Sequence, residues 1–289
     1  MEHHHSDATL GVVRSDHTVR RVHLQTGVSL AYVEQGERPG RSVLLLHAWG
    51  ESLGSFDRLM PLLSGSPHVV ALDQRGHGFA DKATDGYDLD SLAADIEAFM
   101  DAVDLRSAVL VGSSSGGYVA QQLVVRAPDR VEGLVLVGSP RSLRGQQPFA
   151  AELASLIDPV DPEWVREFLG VFPLFHEVPD WYLDARVRDA ALMPADVWRE
   201  SIAGLTASPA PTDIGTISVP TLIIWGDHDG LLTLGDQKVL AERIPGSTLL
   251  VYEGVGHLVL WEQPAHVAAD ITAFIRTLDV NGHTGSLHQ

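Results

Sequence analysis

An α/β architecture is predicted from this sequence: a mostly parallel sheet of about eight strands flanked by helices, with one helical insert. Three observations carry it. Short apolar, β-branched runs alternate with helical patterns along most of the chain. The runs are apolar throughout instead of alternating with polar residues, as expected of strands buried on both faces. Between them, apolar residues recur at spacings of three and four, for example Leu92, Ile96, Phe99 and Val103.

Taken in order, residues 18–24 and 28–34 surround Thr26-Gly27 with no helix between them, which reads as an antiparallel hairpin at one sheet edge. Strands are expected at 42–46, 69–72, 108–111, 133–137, 221–225 and 248–252. Helices are expected at 55–63, 89–103, 116–127, 234–244 and 264–278, with Asp88 or Asp90 capping the second. The alternation breaks over 140–213. Eight prolines from Pro148 to Pro211 keep any helices there short, and large rings are frequent, so the segment reads as a helical lid (cap) over the strand ends. The core is then 18–139 with 214–280. Residues 1–17, with His3, His4 and His5, read as a disordered or tag-like N-terminus, and 281–289 as a flexible tail.

Composition narrows the function. A chain of 289 residues, 45% of them apolar, can bury a large core without staples. It has no cysteine, which excludes disulfides, thiolate nucleophiles and Cys-ligated metals. Lys+Arg 20 against Asp+Glu 38 leaves a net charge of −18, which repels phosphate backbones and anionic lipid. No segment approaches the ~20 apolar residues of a membrane span, and no signal-peptide pattern opens the chain. The expectation is a soluble cytoplasmic protein that binds neither nucleic acid nor membrane. The sequence says nothing of its oligomeric state.

The sharpest chemical signal is Gly112-Ser113-Ser114-Ser115-Gly116, a Gly-x-Ser-x-Gly between a predicted strand and helix. Such a turn lifts Ser114 above the sheet edge, because Gly112 and Gly116 lack the Cβ atoms that would collide there. The helix that follows points its positive end at the hydroxyl. A serine needs a base, and His257 follows the last predicted strand. The base needs an orienting acid, and Asp227 and Asp229 both lie where the strand at 221–225 ends. The order Ser, Asp, His along the chain is that of a strand-to-helix nucleophile. Leu46-His47-Ala48-Trp49-Gly50 runs from a buried strand into a loop whose N–H groups, with that of Ser115, can converge on an oxyanion.

Together these pieces resemble the α/β-hydrolase superfamily from about residue 19 to 278, and Asp73-Gln74-Arg75-Gly76-His77-Gly78 is similar to its Asp-x-Arg-Gly-x-Gly loop. The resemblance implies Ser114 as nucleophile, His257 as base and Asp229 as acid. Asp229 is chosen because the family's Gly-x-x-Asp pattern puts the acid fourth. The resemblance also implies Trp49 and Ser115 as oxyanion donors. This chain departs from the family at Ala48 in place of glycine, at Gly78-Phe79-Ala80 in place of Gly-Arg-Ser, and at Ser115, which is smaller than the usual Met, Gln or Leu.

The function expected is a metal- and cofactor-free serine esterase or lactonase acting on a small hydrophobic ester or lactone. Trp164, Phe168, Phe172, Trp181, Trp198 and Leu258 are candidates for the pocket wall. Alternatives with the same triad are a cofactor-free perhydrolase, a carbon–carbon bond hydrolase and a slow-turnover ligand-binding or signalling protein. Epoxide hydrolases and haloalkane dehalogenases of this fold use an Asp nucleophile, which Ser114 argues against.

Overall fold

A computed structural model describes residues 8–14, 17–37, 40–63 and 68–284. Among them nine strands form one sheet: β1 (Ala8–Arg14), β2 (His17–His23), β3 (Ser29–Gln35), β4 (Val43–Leu46), β5 (Val69–Asp73), β6 (Ala108–Ser113), β7 (Val131–Val137), β8 (Thr221–Gly226) and β9 (Thr248–Tyr252). Their order is β1-β2-β3-β5-β4-β6-β7-β8-β9. β1, β2 and β3 pair antiparallel, β3 meets β5 antiparallel, and every pairing from β5 to β9 is parallel. The ninth strand is β1, in the stretch expected to be tag-like; its backbone pairs with β2. The sequence Leu10-Gly11-Val12-Val13 is β-prone, and the neighbouring histidines masked that signal. Residues 1–7, which include His3, His4 and His5, lie outside the described residues.

Helices α1 (Leu89–Ala102) and α2 (Ser115–Arg126) follow β5 and β6. Asp88 caps α1, its carboxylate accepting from Ser91 N. Side-chain alternation along the parallel strands sorts two cores. Leu44, Leu46, Leu110 and Leu134 face α1 and α2, while Val43, Leu45, Val109 and Val135 face the C-terminal helix. The helix expected at 55–63 is instead two 3₁₀ turns, Leu53–Phe56 and Met60–Leu63. Pro61 has no N–H and its ring collides with the carbonyl four residues back, so an α-helical ladder cannot pass it.

Between β7 and β8 the insert carries five helices: α3 (Ala150–Ala154), α4 (Pro162–Leu169), α5 (Asp180–Ala190), α6 (Ala195–Ala207) and α7 (Pro211–Ile214). Proline stands at or beside the start of four of them, where its missing N–H costs nothing. α8 (Leu234–Arg243), α9 (Val259–Glu262) and α10 (Pro264–Thr284) complete the chain. α10 runs past 281 into the expected tail, and 285–289 lie outside the described residues. No helix among the described residues is long and apolar enough to cross a membrane.

Candidate active site

Ser114 sits between β6 and α2 with φ 46° and ψ −118°, a conformation rarely adopted by a residue with a Cβ. Backbone bonds hold it there: Ser114 N donates to Val137 O at 2.8 Å, and Gly117 N donates to Ser114 O at 2.9 Å. The two glycines are required by close approach. A Cβ on Gly112 would lie 2.3 Å from Gly117 Cα, and one on Gly116 would lie 2.3 Å from Leu46 O. The same contact presses the start of α2 against the loop after β4.

The structure brings His257 and Asp229 to this turn. His257 Nε2 is 3.1 Å from Ser114 Oγ, and His257 Nδ1 is 2.8 Å from Asp229 Oδ2. Asp229 can only accept, so Nδ1 carries the proton and Nε2 is left to accept from the serine hydroxyl. Asp229 Oδ1 accepts from Leu231 N and Leu232 N at 2.8 and 2.9 Å, which fixes the carboxylate against rotation. Asp227 has a different task. It accepts from Gly254 N at 2.6 Å and ties the loop after β8 to the loop after β9. The buried Glu262 anchors the His257 loop from the other side, accepting from Gly256 N at 2.9 Å and from Phe175 N and His176 N of the insert.

Trp49 and Ser115 also meet, though in an arrangement the sequence does not foretell. Trp49 N donates to Ser115 Oγ at 2.6 Å, so the side chain of Ser115 takes the bond of one expected oxyanion donor. The loop itself is clamped by His47, whose Nδ1 donates to Ala48 O at 2.8 Å and whose Nε2 accepts from Gln74 N at 3.0 Å. That pattern requires a neutral ring. Burial, helped by neighbouring His77, pushes the His47 pKa well below its usual value. Asp73 spans the same region, accepting from Leu53 N and Phe79 N at 2.7 Å each.

Ser114, Ser115, His257 and Trp49 open onto one cavity of about 70 Å³. Of the ring candidates, Phe168 and Phe172 line it, with Leu258, and Phe172 stacks on His257 with centroids 5.6 Å apart. Trp198, Trp164 and Trp181 do not. Trp198 is fully buried behind the wall, so close to Gly50 that a Cβ there would lie 2.5 Å from its ring. Trp164 stacks on the outer face of Phe168. Trp181, on the first turn of α5, is 55% exposed and meets Tyr182 edge-on. Among the lining residues that were missed are Phe149 and Glu51. Phe149 stacks on Trp49, held at φ 61° before α3 where no helical period announces it. Glu51, two residues beyond Trp49, is 7% exposed and looks in sequence like any solvated loop acid. Among the described residues no group of three or more His, Asp or Glu side chains is placed to hold a metal ion.

A family profile described as the α/β-hydrolase fold matches residues 41–264. The chain is 30% identical over 273 residues to a non-heme chloroperoxidase from Streptomyces lividans, covering 87% of this chain and 97% of that one. It is 28% identical over 265 residues to a 2-hydroxymuconate semialdehyde hydrolase from a Pseudomonas species, covering 83% and 88%. Among solved structures it is similar to a meta-cleavage product hydrolase from Pseudomonas fluorescens, with a TM-score of 0.74 and 26% identity over 89% of this chain and 97% of that chain.

Proposed function

The chain belongs to the α/β-hydrolase fold family, and from that premise we propose that it is a serine hydrolase cleaving a carboxylic ester or lactone through an acyl-enzyme on Ser114. The observation that carries the reading is the unbroken chain of bonds from Ser114 Oγ through His257 to Asp229, on a backbone strained to present the hydroxyl.

In this mechanism Ser114 Oγ attacks the carbonyl carbon while His257 Nε2 takes its proton. The negative charge that develops on the carbonyl oxygen is met by the N–H groups of Trp49 and Ser115, the oxygen replacing the Ser115 hydroxyl at Trp49 N. The positive end of α2 adds to that stabilisation. The C–O bond then breaks as His257 protonates the leaving alkoxide. Water, deprotonated by His257, attacks the acyl carbon and releases the acid. Asp229 stabilises the imidazolium at both steps. The insert serves as a lid whose phenylalanines favour an apolar acyl or alcohol group.

An organophosphonate should modify Ser114 alone, read by peptide mass mapping, and Ser114→Ala should lower kcat by roughly 10⁶. Adducts on Ser113 or Ser115 instead would overturn the assignment. A hydrolase should also reach kcat on the order of 1–10³ s⁻¹ on some member of a short-ester panel, which a slow ligand-binding protein would not. The likeness to a non-heme chloroperoxidase favours one second reading, in which hydrogen peroxide replaces water and the acyl-enzyme yields a peracid. Peracid formation from acetate and hydrogen peroxide tests it, and none under conditions of rapid ester cleavage removes it.

A further inference from the structure

Among the described residues Glu51 is the one carboxyl group on the wall of the Ser114 cavity, and with His257 it makes up the titratable side chains there. Around it the wall is aromatic, from Trp49, Phe149, Phe168 and Phe172. Its Oε2 is buried without a hydrogen-bond partner. Arg186 of α5 acts on Glu51 electrostatically, but its Nη2 pairs with Asp189 at 3.0 Å and Asp57 at 3.3 Å, its Nε and Nη1 are buried without a partner, and its ring neighbour Tyr182 stands 4.7 Å away. One guanidinium thus faces three carboxyls, and Glu51 is the one it does not bond. Burial raises the Glu51 pKa, against the opposing pull of the Ser55 hydroxyl, Arg186 and His257. A carboxyl accepts hydrogen bonds, and donates one as well when protonated, and in an apolar wall it is costly to leave unbonded.

Ser114 and Glu51 line the same cavity, so a substrate bound at Ser114 shares that space with the Glu51 carboxyl. We propose that Glu51 is a specificity-determining residue that hydrogen-bonds a hydroxyl group on the substrate, a few bonds from the scissile carbonyl, so that the preferred substrates are hydroxylated esters. A hydroxyl can both donate and accept, and so complements the carboxyl in either protonation state. An anionic substituent would be repelled by the overall charge of −18, and a cationic one would bear the desolvation cost of burial among aromatic rings. This inference rests on the serine-hydrolase reading and deepens it.

The test compares matched esters with the wild-type protein and with Glu51→Met and Glu51→Gln. One series is p-nitrophenyl butyrate against its 2-, 3- and 4-hydroxy derivatives. The other is propyl butyrate against 2-hydroxyethyl butyrate. In at least one pair, wild type should prefer the hydroxylated ester in kcat/KM by roughly 10- to 100-fold. Glu51→Met should abolish that preference, and Glu51→Gln, which still donates and accepts, should keep most of it. Phosphonate labelling of Ser114 checks in each variant that the nucleophile is intact. Wild type that hydrolyses plain and hydroxylated esters equally in every pair overturns the proposal without any variant, and so does an unchanged preference in Glu51→Met. Absence of both labelling and turnover in wild type overturns the hydrolase reading, and this proposal with it.

Discussion

Two carboxylates leave the end of β8 only two positions apart, and their hydrogen bonds give them different work. Asp229 is pinned by two backbone N–H groups and faces His257, whereas Asp227 closes a loop against Gly254 N. Asp229→Asn should therefore lower kcat by about 10⁴, because the amide can donate to Nδ1 and so favours the wrong tautomer. Asp227→Asn should change kcat little and lower the melting temperature by a few degrees. Kinetics and thermal melts of the two variants decide between them, and the reverse ranking would transfer the acid role to Asp227. At this scale Ser114, Asp229 and His257 were legible because each follows a strand with an apolar run, where a polar residue in a short turn stands out. Glu51, His47 and Ser115 Oγ were not. Whether a loop acid is solvated or buried, or a histidine is a clamp or a base, depends on partners distant in the chain, such as Arg186 and Gln74.

Strands β4 to β8 were legible for a similar reason, since burial on both faces leaves continuous apolar runs. Two elements were read less well: β1 was hidden by the polar residues around it in the sequence, and 53–63 lost its helix to Pro61. In the insert, composition announced many rings without saying which way they point. α4 turns Phe168 toward the cavity, while α5 leaves Trp181 outside it. Leu169, Phe172 and Leu258 border both the Ser114 cavity and an outer groove of about 280 Å³ that reaches Arg166, Val187 and Trp261. They form a partition. Phe172→Ala should open it and raise the ratio of kcat/KM for an octanoyl over an acetyl ester by some tens-fold at most, since each buried methylene contributes about 0.8 kcal/mol. Trp181→Ala should leave that ratio unchanged. If Trp181→Ala moves the ratio and Phe172→Ala does not, the insert selects substrate by a route other than this partition.

For the molecule as a whole, a surplus of 18 negative charges on its own makes mild acid stabilising, because protonation relieves self-repulsion. Two histidines beneath the active-site loops act in the opposite direction. His47 and His77 are buried with ring centroids 4.9 Å apart. His77 Nδ1 donates to Arg75 O at 2.9 Å, and its Nε2 has no partner. Burial lowers the His77 pKa from 6.5 to about 4, and the His47 pKa moves the same way. Above pH 6.5 neither the folded nor the unfolded chain protonates His77, so its contribution is flat. Between 6.5 and 4 the unfolded chain binds a proton that the folded one refuses, and stability falls as the pH falls. Over pH 7.5 to 5 the His77 share of that loss is about 2 kcal/mol. His77→Gln keeps a donor for Arg75 O but cannot titrate, so its stability should fall less by that amount across the same range. Urea unfolding of wild type and His77→Gln at the two pH values measures the difference directly. Equal losses in the two proteins would mean that His77 accepts its proton in the folded state, and the acid sensitivity would then have to come from His47 or from the ion-paired carboxylates.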